Sequence, residues 1–245
     1  VHARVDSGHT ALMIASIAQT ERDVIDALIR GGADVEARID LGHTALMLAA
    51  ENNSSVEVVE ALIEAGSDVE AATKSGYTAL MLAATYGRSP AILDALLAAD
   101  ADVNRQLQNG RTALMLAAAN QSNSEFVEIL LAHGADVTAR MEAGSSALQL
   151  AAAYSENPEI IHLLISAGAN IEARLSTGET PLMTAAEYNP EAAITRALLS
   201  HRADPTATTH DGRTALQLAR NVNENPAVAE AIINAATGKP PGGHE

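Results

Sequence analysis

Three kinds of side chain recur at spacings that could carry chemistry. His9 and His43 lie 34 residues apart, and each follows an aspartate, Asp6 or Asp40, by three places. Two imidazoles and two carboxylates are suitable metal ligands, but no further His continues the pair, so solvated residues are the simpler reading. Met13, Met47, Met81, Met115 and Met183 form a column at multiples of the same interval. One Met per interval at one helical position reads as core filler, not as a cofactor stripe. Arg4, Arg38, Arg140 and Arg174 form a third column. Their guanidiniums can grip a partner's acidic groups or pair with carboxylates of the same chain, and the sequence leaves both open. No G-x-S-x-G, phosphate loop or H-E-x-x-H motif occurs, so neither enzymatic activity nor a cofactor is expected. The chain has no Cys, which excludes disulfides, thiolate zinc sites and Cys nucleophiles.

Composition narrows the partner. The net charge of -16 repels polyanions, so binding to nucleic acid or to an anionic membrane is not expected and a basic partner fits better. No apolar run approaches the ~18 residues of a membrane-spanning helix, and the opening VHARVDSGHT lacks the basic start and apolar stretch of a signal peptide. A soluble monomer is expected; the compartment is not specified, with the cytoplasm slightly favoured. Apolar residues make up 47% of the 245, yet aromatics only 2%: four Tyr, one Phe and no Trp. Ala and Leu must fill the interior, which suits thin repeated layers better than one thick core.

The elements that position these columns follow from one interval. Gly8, Gly42, Gly76, Gly110, Gly144, Gly178 and Gly212 are each 34 residues apart, and each leads a version of GHTALMLAA. Each unit reads as a turn glycine, a Thr or Ser N-cap (Thr44, Thr78, Ser146), and a short Ala- and Leu-rich helix. Pro181 follows its cap Thr180 at the first helical position. A second helix begins at cap-plus-proline signals, Ser89-Pro90, Asn157-Pro158 and Asn225-Pro226. It carries two apolar columns, Val24, Val58, Ile92, Phe126, Ile160, Ile194 and Val228, then Leu28, Leu62, Leu96, Leu130, Leu164, Leu198 and Ile232. That i, i+4 spacing predicts one buried stripe. Gly32, Gly66, Gly134 and Gly168 can end this helix in the left-handed conformation, where Asp100 and Arg202 stand in two other units.

Together, G-x-T-A/P-L-M-x-A-A and G-A-D-V resemble the ankyrin repeat family over about residues 1 to 235. The resemblance implies an all-α solenoid of about seven helix-turn-helix repeats with short β-hairpin-like loops, spanning 1–236 and followed by a disordered tail over 237–245. The seventh unit, with Pro205, Gln217 and Arg220, reads as a C-terminal cap with a solvated outer face. The chain opens inside a loop, so a preceding helix pair is expected to be absent or lost. Departures are also plain. The family's usual repeat has one residue fewer, the extra residue falling between the helices. It commonly has His where this chain has the Met column, Gln149 or Gln217, so the hydrogen bonds that His makes between repeats are not carried over. Its loop Asp is replaced by Val5, Ile39, Thr73, Leu107, Met141, Leu175 and Thr209, which are expected to pack against adjacent hairpins.

The resemblance also implies where a partner sits: in a concave groove of loop tips and first helices. Carried over residue by residue, the candidate contacts are Arg38, Asp40, His43, Lys74, Tyr77, Tyr86, Arg111, Asn120, Arg140, Tyr154, Arg174 and Tyr188. Groove positions also include Glu51, Asn52, Glu142, Glu179 and Glu187. Across these columns seven basic residues (Arg4, Arg38, Lys74, Arg111, Arg140, Arg174, Arg213) offset seven acidic ones (Asp6, Asp40, Glu51, Glu142, Glu179, Glu187, Asp211). The remaining acidity is expected mainly on the helix backs. All four Tyr fall in the groove or at its tips. The implied function is a noncatalytic scaffold binding a protein or peptide. Two alternatives stand beside it: a targeting segment of a larger multidomain protein, and a small-molecule or metal-binding repeat protein.

Overall fold

The computed structural model describes residues 5, 8–18, 21–53 and 55–238. Among these residues the chain forms fourteen helices and no strand. The first helix of each repeat is α1 (Ala11–Ile17), α3 (Ala45–Asn52), α5 (Ala79–Tyr86), α7 (Ala113–Asn120), α9 (Ala147–Tyr154), α11 (Pro181–Tyr188) or α13 (Ala215–Val222). The second is α2 (Arg22–Arg30), α4 (Val56–Glu64), α6 (Ala91–Ala98), α8 (Glu125–Ala132), α10 (Pro158–Ser166), α12 (Ala192–Ser200) or α14 (Pro226–Thr237). The chain comprises two compact units, Val1–Gln108 with Ala132–Ala135, and Asn109–Leu131 with Asp136–Glu245.

Every first helix starts the same way. Thr10, Thr44, Thr78, Thr112, Ser146, Thr180 and Thr214 sit in extended backbone, and each hydroxyl accepts the N–H three residues on. This satisfies a donor that the helix itself leaves orphaned. From α3 to α11 these helices are enclosed on all faces up to their last turn, as in α3, where Ala45 through Ala50 are buried without a break. Only small or flexible side chains fit such a position, which accounts for the shortage of aromatics. The Met column is fully buried, as core filler should be. Gln149, in the same column, is also buried, and its Nε2 donates to the carbonyls of Ala173 and Glu179 at 3.3 and 3.1 Å. A bond between repeats thus returns at the one enclosed place where the column has an amide, whereas Gln217 is exposed beside exposed Arg220.

The second helices bury both expected columns from α4 onward, but not in α2. Val24 is 44% exposed and Leu28 half-buried, while Ile25 is completely enclosed. Ile25 belongs to a third column, Ile25, Val59, Leu93, Val127 and Ile161, buried throughout and not singled out by the i, i+4 reading. Asn157 and Asn225 cap α10 and α14 with a proline at the first position. Ser89 does not: its side chain makes no cap bond, and instead its carbonyl and that of Pro90 accept from Ile92 and Leu93, a tighter first turn that leaves α6 starting at Ala91. Helix α14 runs through Thr237 and closes on left-handed Gly238, so the expected tail does not begin at 237; residues 239–245 lie outside the described residues.

The loops are hairpin-like without forming strands. Ile39 N donates to His43 O and Gly42 N to Ile39 O, a pattern repeated at Met141 and Leu175, and one isolated antiparallel bridge joins Thr208 and Thr214. Successive tips are tied by backbone bonds, Lys74 N to Leu41 O and, in the second unit, His210 N to Thr177 O. Thr73, Leu107 and Thr209 are buried and Ile39, Met141 and Leu175 half-buried between hairpins. Val5 is 51% exposed: Leu107 packs beneath Gly76 of the preceding hairpin, and Val5 has no described hairpin in that place.

Side chains complete the stack. Asn53 donates from Nδ2 to Ser16 O, Asn189 to Ala152 O and Ser155 O, and Asn223 to Ala186 O and Asn189 O. Each ends a first helix and binds the repeat before it. Asp34, Asp68, Asp102, Asp136 and Asp204 each accept the backbone N–H two residues on, in the turn after the second helix. Glu36, Glu70 and Glu172 accept from the N–H of Asp68, Asp102 and Asp204 in the next repeat. A substantial part of the acidity therefore lies in these turns and not only on the helix backs.

The left-handed positions yield a prediction. Asp100 has φ 63° and Arg202 φ 67°. Because a side chain at such a φ costs about 1–2 kcal/mol, Arg202→Gly is expected to raise the urea midpoint by the equivalent of about 1 kcal/mol. Conversely, Gly66→Ala adds a Cβ in open space at φ 88°, whereas at Gly178 the Cβ would lie 2.8 Å from His210 N at φ 90°. Gly178→Ala should lose clearly more stability than Gly66→Ala; equal losses would show that the hairpins give way freely.

Candidate functional site

From α3 to α11 the first helices become accessible only at their last turn. Tyr86, Tyr154 and Tyr188 end α5, α9 and α11 at the same place of the repeat and are 57, 62 and 55% exposed. One turn earlier their helices are closed. In the first unit, Tyr86 lines a cleft of about 260 Å³ with Leu41, His43, Glu51, Ser75 and Tyr77. Its floor is Leu82, and exposed Leu41 forms part of its rim. In the second unit, Tyr154 lines a cleft of about 370 Å³ with Asn120, Gln121, Ser122 and Glu156. The lining mixes aromatic faces with polar groups, a composition suited to protein side chains.

The arginine column also meets backbone carbonyls, a role the sequence did not suggest. Arg38 Nη1 donates to Ala72 O at 2.9 Å. Arg140 Nη1 reaches Gly144 O at 3.0 Å and Arg174 O at 3.4 Å, and Arg174 Nη1 reaches Gly178 O at 2.7 Å and Thr208 O at 2.8 Å. These guanidiniums fasten a hairpin to the backbone of the next one. Arg4 lies outside the described residues, as does Asp6 of the His9 and His43 arrangement. Among the described residues no group of three or more His, Asp or Glu could hold a metal ion, and no helix is long and apolar enough to cross a membrane.

The repeat geometry has a counterpart among known families. A family model described as ankyrin repeats in three copies matches residues 12–106, 55–141, 80–175 and 148–239. The chain belongs to the ankyrin repeat family. Ankyrin repeat domains are generally protein–protein interaction modules. Among solved structures, this ankyrin repeat chain is similar to the ankyrin repeat domain of Bcl-3, described as a unique member of the IkappaB protein family. Identity is 28% and the TM-score 0.71, over 93% of this chain and 100% of that one. It is also similar in fold to the human ASB11 ankyrin repeat domain, with 22% identity and a TM-score of 0.80, over 96% of this chain and 100% of that one. No curated protein matches.

Within this ankyrin repeat fold the expected contact residues separate into groups. His43, Tyr77 and Tyr86 come together in the first cleft, and Asn120 and Tyr154 in the second. Asp40 and Lys74 are exposed at tips, Arg111 is half-buried, and Asn120 returns its Nδ2 to Leu116 O at 2.8 Å. Of three neighbouring residues in the second unit, Glu179 and Glu187 were expected in the groove and Thr184 was not. Glu179 is only 8% exposed, and Thr184 and Glu187 follow it on α11 beside Tyr188. The signal was a break within columns: Glu179 stands where other repeats carry His43, Tyr77, Arg111 and Ser145, and Thr184 where they carry Leu48, Leu82, Leu116, Leu150 and Leu218.

Burial, then the charge of Glu179, raises the Glu187 carboxyl above the ordinary glutamate range, against the pull of Arg213. Burial and the charges of Glu187 and Glu179 likewise raise the Tyr188 hydroxyl. With the folded-state pKa above the unfolded one, Glu187 favours folding fully below the ordinary glutamate range, and this contribution disappears as pH rises through the raised value. Glu187→Gln should therefore raise Tm at pH 7 by about 1–3 °C and change it little near pH 3.5. Thermal melts at both pH values test this; an equal rise at both would assign the effect to packing instead of charge.

Proposed function

We propose that the chain is a noncatalytic scaffold that takes a protein or peptide partner on its loop tips and the exposed last turns of its first helices. The observation that carries this reading is the placing of Tyr86, Tyr154 and Tyr188. These tyrosines stand at one position of three repeats, more than half exposed, on helices otherwise closed to solvent. A tyrosine left outside a core that has almost no aromatics contributes little to folding. It offers a large, rigid face with a polar tip, the type of side chain that dominates interface energetics. The site would be preformed. The tyrosines ride on helices whose caps, asparagine bonds and arginine bonds are internal, so little ordering entropy is lost on binding. A partner of basic character suits a molecule of net charge -16.

The test compares the intact chain with the Tyr86→Ala, Tyr154→Ala, Tyr188→Ala triple variant in pull-downs from source lysate, after circular dichroism shows equal helicity. A protein held by the intact chain is expected to bind the variant about 100-fold or more weakly, as loss of several hot-spot aromatics does. Equal retention would remove the tyrosine face from the site.

A further inference from the structure

We propose that Glu179, Thr184 and Glu187, between Tyr154 and Tyr188, form a subsite for one arginine side chain of the partner. This deepens the scaffold reading above and rests on it. Thr184, Glu187 and Tyr188 belong to α11. Thr184 lies one turn before Glu187 and Tyr188, at i-3 and i-4, and so shares their face of the helix. In α5 the residue of the same column, Leu82, floors the cleft beneath Tyr86. Replacing that leucine by Thr184 turns an apolar floor into a polar one.

That polar floor is unsatisfied. Thr184 is 5% exposed, and its Oγ1 has no hydrogen-bond partner. Hydroxyls elsewhere in the first helices return to the carbonyl one turn back: Ser16 Oγ bonds Leu12 O at 2.8 Å and Thr85 Oγ1 bonds Met81 O at 2.7 Å. Thr184 does not. Glu187 Oε2 is likewise buried and makes no bond of good geometry, although Tyr188 and Glu179 lie close enough to interact with this carboxyl. Buried polar atoms left unpaired cost stability, so two of them on one face call for a ligand that donates hydrogen bonds.

Charge fixes the kind of donor. Glu179 and Glu187 repel one another, and each raises the pKa of Tyr188. Arg213, the cation that favours the ionised Glu187, holds Asp211 through Nε at 2.7 Å, which leaves the carboxylate pair with excess negative charge. Tyr188 follows Glu187 directly, and Tyr154 stands close enough to Tyr188 to disfavour its ionisation, so two exposed aromatic side chains lie in this neighbourhood. A planar guanidinium meets all of these demands at once. It supplies forked N–H donors to carboxylate and hydroxyl oxygens and stacks on tyrosine faces, which the compact ammonium of lysine does less well.

The test needs no identified partner. N-acetyl-arginine amide is titrated into the full chain and followed by amide NMR, with the lysine and citrulline analogues as comparison. Saturable shifts centred on Thr184, Glu187, Tyr188 and Tyr154 are expected, with arginine bound more tightly than lysine and citrulline not at all. Glu187→Gln and Thr184→Leu should each weaken arginine binding by about tenfold, the worth of one charge-assisted hydrogen bond. Thr184→Leu removes a buried unpaired hydroxyl and Glu187→Gln a charge that burial disfavours, so unfolding does not explain a loss. Absence of saturable shifts, equal binding of citrulline or lysine, or unchanged affinity in both variants would overturn the subsite. The scaffold reading is scored separately: if arginine fails to bind while the tyrosine triple variant still loses its captured protein, only the subsite falls. If arginine binds while the triple variant keeps that protein, the subsite stands and the tyrosine face is not the partner's site.

Discussion

Closure of the first helix on every face is the constraint from which the rest follows. A helix such as α3, buried from Ala45 through Ala50, can be surrounded only if its own second helix and both neighbouring repeats lie against it. No single repeat provides that surface, so the stack is the smallest unit that buries its apolar groups. Close approach demands small side chains, hence the Ala and Leu sequence and the methionines that adapt to the remaining gaps. It also removes water from the ends of short helices. Their polar backbone groups must then be met by protein: by a Thr or Ser at the start and, in three repeats, by an Asn at the end that reaches back to the repeat before.

Hydrogen bonds between repeats therefore carry as much of the architecture as apolar burial does. The asparagines tie helix ends, Arg38, Arg140 and Arg174 tie hairpins, and Glu36, Glu70 and Glu172 tie the turns after the second helices. Gln149 adds a bond from inside the methionine column. Each device is an acceptor or donor of the side chain meeting a backbone group, which fixes register more strictly than apolar contact alone. The consequence for function is rigidity beneath the exposed tyrosines. Against that background Glu187 stands out as a carboxyl whose ionisation opposes folding. Departures of this kind concentrate where a protein meets something else.

Much of the fold was legible because it is written in spacing. Seven glycines at one interval, a hydroxyl two residues after each, and apolar columns four apart leave one arrangement of helices, and Thr44, Thr78, Ser146, Asn157 and Asn225 cap as their positions imply. What the sequence hid depends on neighbours. Ile25, not Val24, is enclosed in α2, because the choice between adjacent apolar residues is settled by the helix packed against them. Ser89 has the type and place of a cap, yet the tight first turn of α6 uses its carbonyl instead. The arginine column was visible as a column, but a backbone carbonyl one repeat away leaves no mark in composition. Of the site, the tyrosines could be picked out as aromatics in a chain that hardly uses them, and Glu179 as a tip position; Thr184 was concealed as a single exception within its column, and the burial of both is a tertiary fact.

The uninterrupted interval bears on how such a chain tolerates changes in length. Asn189 reaches the carbonyl 34 residues before it, and Arg174 the carbonyl 34 residues after it. Loss or duplication of one whole period presents each of these side chains with a neighbour of the same backbone geometry, so the bonding scheme is preserved in kind. Loss of a single residue displaces the asparagine, arginine and hairpin pairings of one junction together. The gene can therefore grow or shrink by whole modules far more readily than by single codons.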